Sequence, residues 1–598
     1  MRRGTIKYYL VFGCILASGP GTEVATARQD SWKQNWLVEE GFSIEIDTEG
    51  YEFPTAMAFV PDPGGAPDDP LYFVTELDGT IKVVTNDRTV RTFAHDFFDL
   101  VPPSGREQEM GMAAIALDPV HGYVFVSFVY QDEGGILRNN IARFDGEPRT
   151  FSLEPHGHTL FTEIFDGYFS GLSHQIGPVV VEDGHLYVGV GDAMRSFDAQ
   201  DLDTVNGKIL RMTFDGRPAP GNPFYVDQSV ERARNFVWAY GFRNPFGLAF
   251  AEGRAFVSEN GINLDRFVEV SRGGNYQWDG SDLSLAINSQ LVFGDGVAPV
   301  ELTWVGRDNI LLPEAYRSRF FLALAGGRSS GLKRGSLKGV VSFEYDLTRS
   351  RITDRPRSFV RYRGPRIQQP VGVQVGPDGV YVVPLHPLQG ERGAILKVAY
   401  APDNAHSLVV DRPGDALGLM VEKGCYGCHG AHYTDVRPGP PLDATLVPRL
   451  VDQLGSREYI ESVRGIDALD VEPYRSYREE RRLVLEATGE ESVRLWIKYF
   501  LMEPSFDRRT SAMPNPQLTE AGAEAIADYL VAHSPGAGGG RDLGRTGVRA
   551  FATKVLNRIG RMSPYPQYNI FLAGAVAGGG AMLVVALLLF RARRRRLG

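Results

Sequence analysis

Cys425-Tyr426-Gly427-Cys428-His429 puts two thiols and an imidazole within five residues. Thiols at that spacing add across the two vinyl groups of a haem, and the adjacent imidazole is then placed as proximal ligand to the iron. Cys425 and Cys428 are therefore expected to hold one haem c covalently, with His429 on the metal. The remaining cysteine, Cys14, stands in a stretch that reads as a removable leader, so the mature chain keeps no further thiol for a disulfide. A zinc site would need a second cysteine pair, and a thioredoxin-like redox site would need a surrounding βαβ pattern. Neither is present, and one-electron chemistry is the expectation.

The sixth position on the iron is expected from Met513. Met513-Pro514-Asn515-Pro516 forms a rigid loop ahead of Thr519, a good helix N-cap, and Ala523, Ile526 and Leu530 recur behind it at helical spacing. Met502, Met420, His432 and His533 are weaker candidates for the same role. The Met-Pro loop before a helix containing Tyr529-Leu530, together with Gly439-Pro440-Pro441-Leu442 after the motif, resembles the cytochrome c family over about residues 412 to 534. The resemblance implies an all-α domain with Met/His ligation, which raises a haem potential and suits an electron acceptor.

A second set of reactive side chains lies far upstream, in Ser173-His174-Gln175, Gly191-Asp192 and Phe242-Arg243-Asn244-Pro245. An imidazole, a carboxylate and a guanidinium brought to one mouth would make a base, its orienting anion and a stabiliser of developing negative charge. Taken singly, each is an ordinary loop residue.

What would bring them together is a repeated strand signal. A turn with Gly, Pro or Asp followed by an apolar strand recurs at Leu71-Tyr-Phe-Val, Gly122-Tyr-Val-Phe-Val, Asp183-Gly-His-Leu-Tyr-Val, Gly253-Arg-Ala-Phe-Val, Ser318-Arg-Phe-Phe-Leu and Pro377-Asp-Gly-Val-Tyr-Val. The spacing of about 50 to 70 residues is a propeller-like period in which each unit is one small antiparallel sheet. Six units predict an all-β six-bladed β-propeller over residues 41–402, with its site in the loops at one end of the central tunnel. A β-sandwich ranks a distant second.

The stretch from Gly41 to about Tyr400 resembles the glucose/sorbosone dehydrogenase propellers, whose quinoprotein members use pyrroloquinoline quinone (PQQ). The matching segments are Pro54-Thr-Ala-Met-Ala-Phe, Gly111-Met-Ala-Ala-Ile-Ala-Leu-Asp-Pro, Leu186-Tyr-Val-Gly-Val-Gly-Asp192, Gly207-Lys-Ile-Leu-Arg-Met, Gly241-Phe-Arg-Asn-Pro-Phe-Gly and Gly274-Asn-Tyr-Gln-Trp278, in that order. The resemblance implies that His174 removes the substrate hydroxyl proton, that Asp192 orients His174, and that Arg243 and Asn244 hold the quinone carbonyls. The chain departs from the pattern where Phe246 replaces a polar residue, where Glu109 replaces a glutamine, and where Arg366 stands with Gln369 in place of an arginine pair. PQQ carries three carboxylates, so one guanidinium fewer weakens its hold. Glu259, Gly261 and Asp265 offer hard oxygen ligands for Ca2+, although an ordinary acidic loop reads the same way. In the quinoprotein relatives that loop holds calcium with a Gly-Pro carbonyl pair. Here Ile262 replaces the proline and Arg266 replaces an acid.

Both ends carry a membrane signal. Arg2, Arg3 and Lys7 precede an apolar run closed by Ala25-Thr-Ala27, so residues 1–27 read as an export signal peptide. Residues 535–569 form a linker that opens on a Gly-rich stretch, 570–590 an uncharged apolar span long enough to cross a bilayer as a transmembrane helix, and 591–598 an arginine-rich tail held on the cytoplasmic side. Propeller and haem domain would then face the periplasm from the inner membrane. A net charge of −10 argues against nucleic acid as a partner. The expectation is a quinohaemoprotein dehydrogenase that oxidises a sugar or related alcohol by hydride transfer and passes electrons through haem c to a respiratory-chain acceptor. The alternatives are a quinone-free propeller that serves as a binding module beside a haem c domain, and a tethered scaffold whose haem only stabilises the fold.

Overall fold

The computed structural model describes residues 32–98, 110–262, 264–287, 289–294, 297–326, 338–354, 356–409, 445–509 and 518–532, with scattered positions between these, including Cys425, His429, 439–442 and Met513. The expected signal peptide, linker, membrane span and basic tail, with Glu109 and Cys428, lie outside the described residues.

Six antiparallel sheets follow one another along the chain. Their first strands are Pro54–Phe59, Gly111–Asp118, Ile176–Glu182, Pro245–Ala251, Pro299–Val305 and Pro370–Gly376. Each first strand packs on the first strand of the next sheet, and the sixth packs on the first, so the six close into a ring. This is the predicted six-bladed β-propeller. Phe42–Tyr51, from the start of the chain, is the outermost strand of the sixth blade, paired with Gly393–Tyr400. The ring is thus closed by hydrogen bonds between the two ends of the domain. Trp36–Val38 adds a further strand to the outer edge of the fifth blade.

All six copies of the sequence signal are the second strand of a blade: Pro70–Glu76, Tyr123–Gln131, His185–Val190, Arg254–Glu259, Arg319–Leu324 and Gly379–Pro384. These strands lie between two hydrogen-bonded neighbours and are covered by adjoining blades on both faces, so they read as continuous apolar runs. The turns before them require left-handed backbone. Asp183 and Gly184 have φ of 45° and 67°, and Glu252 and Gly253 have φ of 50° and 77°, the two-residue hairpin geometry that follows the strand twist.

The helical region has its own core. The helices α1 (Leu446–Leu454), α2 (Arg457–Asp467), α3 (Arg478–Glu486), α4 (Gly489–Met502) and α5 (Glu520–Ala532) bury Val463, Val484, Val493, Ile497, Phe506, Ala523 and Ile526 among others. Ser456 caps α2 by accepting from the Tyr459 amide at 3.2 Å, and Thr519 caps α5 by accepting from the Gly522 amide at 3.0 Å. No helix among the described residues is long and apolar enough to cross a membrane.

The propeller and the helical region meet along a defined seam. Leu264, Ala286 and Val292 of the fourth blade pack with Ile466, Val471 and Tyr474. Leu291 and Glu472 form a parallel bridge in which the Val292 amide donates to Glu472 O at 2.8 Å and the Glu472 amide donates to Gln290 O at 3.0 Å. From the fifth blade, Arg361 donates to Pro516 O at 2.6 Å, in the loop that carries Met513.

Candidate functional site

Each blade's first strand starts at the ring end where its second strand stops, as in the pairs Ile176↔Val190, Pro245↔Glu259 and Pro370↔Pro384. The residues just before first strands, His174, Arg243, Asn244 and Gln369, therefore share one end of the tunnel with those just after second strands, Asp192, Asn260 and His386. Topology alone brings the predicted residues to a common mouth.

There the predicted pair is formed. His174 Nδ1 lies 2.5 Å from Asp192 Oδ1, and both side chains are buried, at 8% and 3% exposure. The second carboxylate oxygen, Asp192 Oδ2, accepts from Trp278 Nε1 at 2.7 Å. With both oxygens engaged, Asp192 fixes the imidazole ring through Nδ1 and leaves base chemistry to Nε2. The backbone continues the clamp, since the Asp192 amide donates to Arg243 O at 2.7 Å and the Ala193 amide to His174 O at 3.1 Å. A Cβ at Gly191 would lie 2.4 Å from His174 O and 2.8 Å from Asn244 Oδ1, so this approach of three loops requires glycine.

Strained backbone concentrates at the same place. His174, Ala193 and Met194 have φ of 60°, 51° and 67°, and Gln277, beside Trp278, has 59°. Left-handed non-glycine residues persist only where surrounding structure over-determines them, and they cluster at functional sites.

Arg243 is anchored at both of its ends. Its amide donates to Glu259 Oε1, its Nη1 donates to Asn260 O at 2.8 Å, and its guanidinium lies 5.8 Å from the Trp278 ring centre. Asn244 is buried beside it, at 3% exposure. Around the pair the rim is apolar: Phe169, Leu172, Met194 and Phe197 are all exposed, and the Arg195 guanidinium is stacked over both phenyl rings at 4.3 and 4.5 Å.

Arg366 is exposed and approaches Tyr362, on the last strand of the fifth blade. Two basic side chains on the propeller escaped the sequence reading. His386, half-buried, contacts Gln369 Oε1 through Nε2 at 3.2 Å, and its pKa is lowered by burial and by the nearby Lys338. The Lys338 ammonium is lowered by burial in turn. Neither belongs to a pattern along the chain; the packing of the fifth blade on the sixth sets their proximity.

The acidic loop does not converge as a calcium site would. Asp265 Oδ1 accepts from the Gly261 amide at 2.8 Å and Oδ2 from the Ala298 amide at 2.8 Å. Burial raises its pKa to about 6 against these backbone bonds. Glu259 Oε2 is bonded by Arg266 Nε in an ion pair with no solvent exposure. Both carboxylates are thus committed to donors of the chain itself. Among the described residues, no group of three or more His, Cys, Asp or Glu side chains could hold a metal ion.

In the helical region the His429 amide donates to Cys425 O at 2.9 Å. His429 Nδ1 lies 2.7 Å from Pro440 O, within the predicted buttressing loop. A histidine that gives its Nδ1 proton to a carbonyl is fixed in the tautomer that coordinates through Nε2. Cys425, Leu442, Met502 and Met513 all pack on the one helical core. These residues fit a covalently attached haem.

The glucose/sorbosone dehydrogenase family model matches residues 51–290, a stretch that includes His174, Asp192, Arg243, Asn244, Glu259 and Trp278. Over 98 residues the chain is 34% identical to aldose sugar dehydrogenase YliI of Escherichia coli, covering 16% of this chain and 26% of that protein. Over 138 residues it is 30% identical to quinoprotein glucose dehydrogenase B of Acinetobacter calcoaceticus, covering 19% and 28%. The chain therefore spans little more than a quarter of the length of the curated relatives it matches. The structure of the PQQ-bound form of aldose sugar dehydrogenase from Streptomyces coelicolor is 22% identical and covers 60% of this chain and 100% of that one, with a TM-score of 0.43.

Proposed function

We propose that this chain is a PQQ-dependent sugar dehydrogenase with a covalently bound haem c in its helical region. The observation that carries the reading is the buried His174–Asp192 pair at the tunnel mouth, 2.5 Å between Nδ1 and Oδ1 and braced by Trp278. The family match across the same residues supports it.

Oxidation of an alcohol or hemiacetal carbon removes a hydride from carbon and a proton from oxygen, two electrons in all. PQQ, when bound, supplies the two-electron acceptor. His174 takes the hydroxyl proton on Nε2, and Asp192 balances the imidazolium that results. Arg243, held by Glu259 and Asn260, places positive charge where negative charge develops. Asn244 adds a polar contact for the quinone, Lys338 would supply cationic character for its carboxylates where the second arginine is lacking, and His386, held towards its neutral form by burial and by Lys338, would offer a hydrogen bond. Cys425 and Cys428 would hold haem c covalently, with His429 and Met513 as iron ligands, and the haem would supply one-electron transfer onward. The export signal and the apolar span read from the sequence would keep both domains on the periplasmic side of the inner membrane, beside a respiratory acceptor.

The test is a titration of purified protein with PQQ, followed by aldose-dependent reduction of a dye. Saturable quinone binding with aldose-dependent dye reduction, lost in His174→Ala with haem content intact, is the expected result. Absence of quinone binding would favour the binding-module reading, for which the exposed Arg366 is the structural argument.

A further inference from the structure

Arg266 has no solvent exposure, and its ion-pair partner Glu259 has none either. The two face each other in register across adjacent strands of the fourth blade. Besides Glu259, the guanidinium donates to Tyr276 O at 3.0 Å and Leu285 O at 3.4 Å through Nη1, and to Gly241 O at 3.3 Å through Nη2. Its carbon lies 5.8 Å from the Phe242 ring centre and 5.9 Å from that of Tyr276. One carboxylate and three carbonyl oxygens from four segments are hard oxygen ligands of the kind a divalent cation takes. Here the chain's own cation binds them.

The carbonyls belong to the segments that build the mouth. Gly241 is two residues before Arg243. Tyr276 is two residues before Trp278, whose indole holds Asp192. Glu259 binds Arg266 with one oxygen and the Arg243 amide with the other. A buried carboxylate stripped of its cation is strongly destabilising, and a guanidinium in rigid fork geometry can tie several acceptors at once where an ammonium cannot.

We propose that Arg266 is a built-in cation that joins the Arg243 and Trp278 loops, so that the mouth is assembled without a divalent metal at Glu259. Arg266 is a positioning residue, acting through Arg243 and through Trp278 on Asp192. Its effect on turnover rests on the sugar-dehydrogenase reading; its effect on metal dependence does not.

The experiment uses the full-length, haem-loaded protein and follows thermal unfolding by near-UV circular dichroism with excess EDTA or excess CaCl2. The wild-type midpoint is expected to be the same in both. Arg266→Met should lower it by more than about 4 °C, with no recovery in calcium. Arg266→Asp, which returns an acidic side chain to the cage, should be raised by CaCl2 and lowered by EDTA. A wild-type midpoint that falls in EDTA and returns with calcium would overturn the proposal, as would an Arg266→Met protein as stable as wild type. Arg266→Lys retains one charge and serves if the other variants do not fold. In its quinone-loaded form, kcat should fall while the KM for aldose stays near wild type. An unchanged kcat would reduce Arg266 to a brace and overturn its positioning role. If wild type oxidises no sugar at all, the function fails while the metal-independence result stands on its own.

Discussion

At the residue scale, His174, Asp192 and Trp278 share one carboxylate network. Asp192 is bonded by His174 through one oxygen and by Trp278 through the other, so the two partners should fail differently. His174→Ala removes the base, and kcat is expected to fall by about 10²- to 10⁴-fold, measured as aldose-dependent dye reduction in protein of normal haem content. Trp278→Phe leaves the base in place but strips one bond from a buried acceptor, a cost of about 1–3 kcal/mol, so a loss of roughly tenfold is expected in the same assay. Equal losses in both would contradict the division of roles. His174, Asp192, Arg243 and Asn244 were legible because they sit in ordered motifs. Trp278 stood in a matched segment with no role attached, since a single indole says nothing of its donor's target until the fourth blade is folded beside the third. Arg266 was visible only as a departure from a pattern, and its meaning came from the carbonyls around it. Lys338 and His386 left no signal at all, because 48 residues of chain separate two groups that the ring brings together.

At the element scale, the second strand of every blade was readable because burial on both faces makes it uniformly apolar. The first strands were not, although they line the tunnel. They open on Pro or Gly or carry one within them, so no uniform apolar run marks them, and the fifth also carries a carboxyl, Glu301. It lies on the first strand of the fifth blade, where Oε1 accepts from Gln374 Nε2 at 2.5 Å and Oε2 from the Val373 amide at 2.8 Å, both on the first strand of the sixth. Burial raises its pKa from 4.5 to about 8 despite those bonds. A carboxyl with a raised folded pKa binds its proton more tightly in the folded state. Its contribution is therefore fully present below about pH 4.5 and is lost as pH rises towards 8. Glu301→Gln should flatten the fall in thermal midpoint between pH 5 and 8 that wild type shows, read by circular dichroism at matched ionic strength. A wild-type slope that persists in the variant would assign the titration elsewhere. The last helix was the most legible element of the second domain: Thr519 caps it, and Ala523, Ile526 and Leu530 are buried as their spacing predicts.

At the scale of the molecule, the helical region is docked on the outer edge of the fourth blade, next to the strand that carries Asp265 and Arg266. Leu264 and Ala286 belong to the seam, and Leu285 O holds Arg266. The site and the helical region thus lean on the same strand and on the short helix Asp282–Ile287. Nothing in the sequence announces this seam, because a few apolar residues on each side look like ordinary core. Tyr474, fully buried at its centre, is the residue to remove. Tyr474→Ala should cost about 3–5 kcal/mol and split a single calorimetric transition into two, the helical region melting first. One transition at an unchanged midpoint would show that the seam contributes nothing.

The central proposal is that electrons removed from a sugar at the tunnel mouth, with His174 taking the proton, reach a haem held by His429 within one chain. The direct measurement is a stopped-flow visible spectrum of oxidised, haem-loaded protein mixed anaerobically with an aldose, with and without PQQ. The account predicts reduction of the haem bands only when quinone and aldose are both present, at a rate independent of protein concentration. A haem that stays oxidised under those conditions, yet is reduced by dithionite, would contradict it.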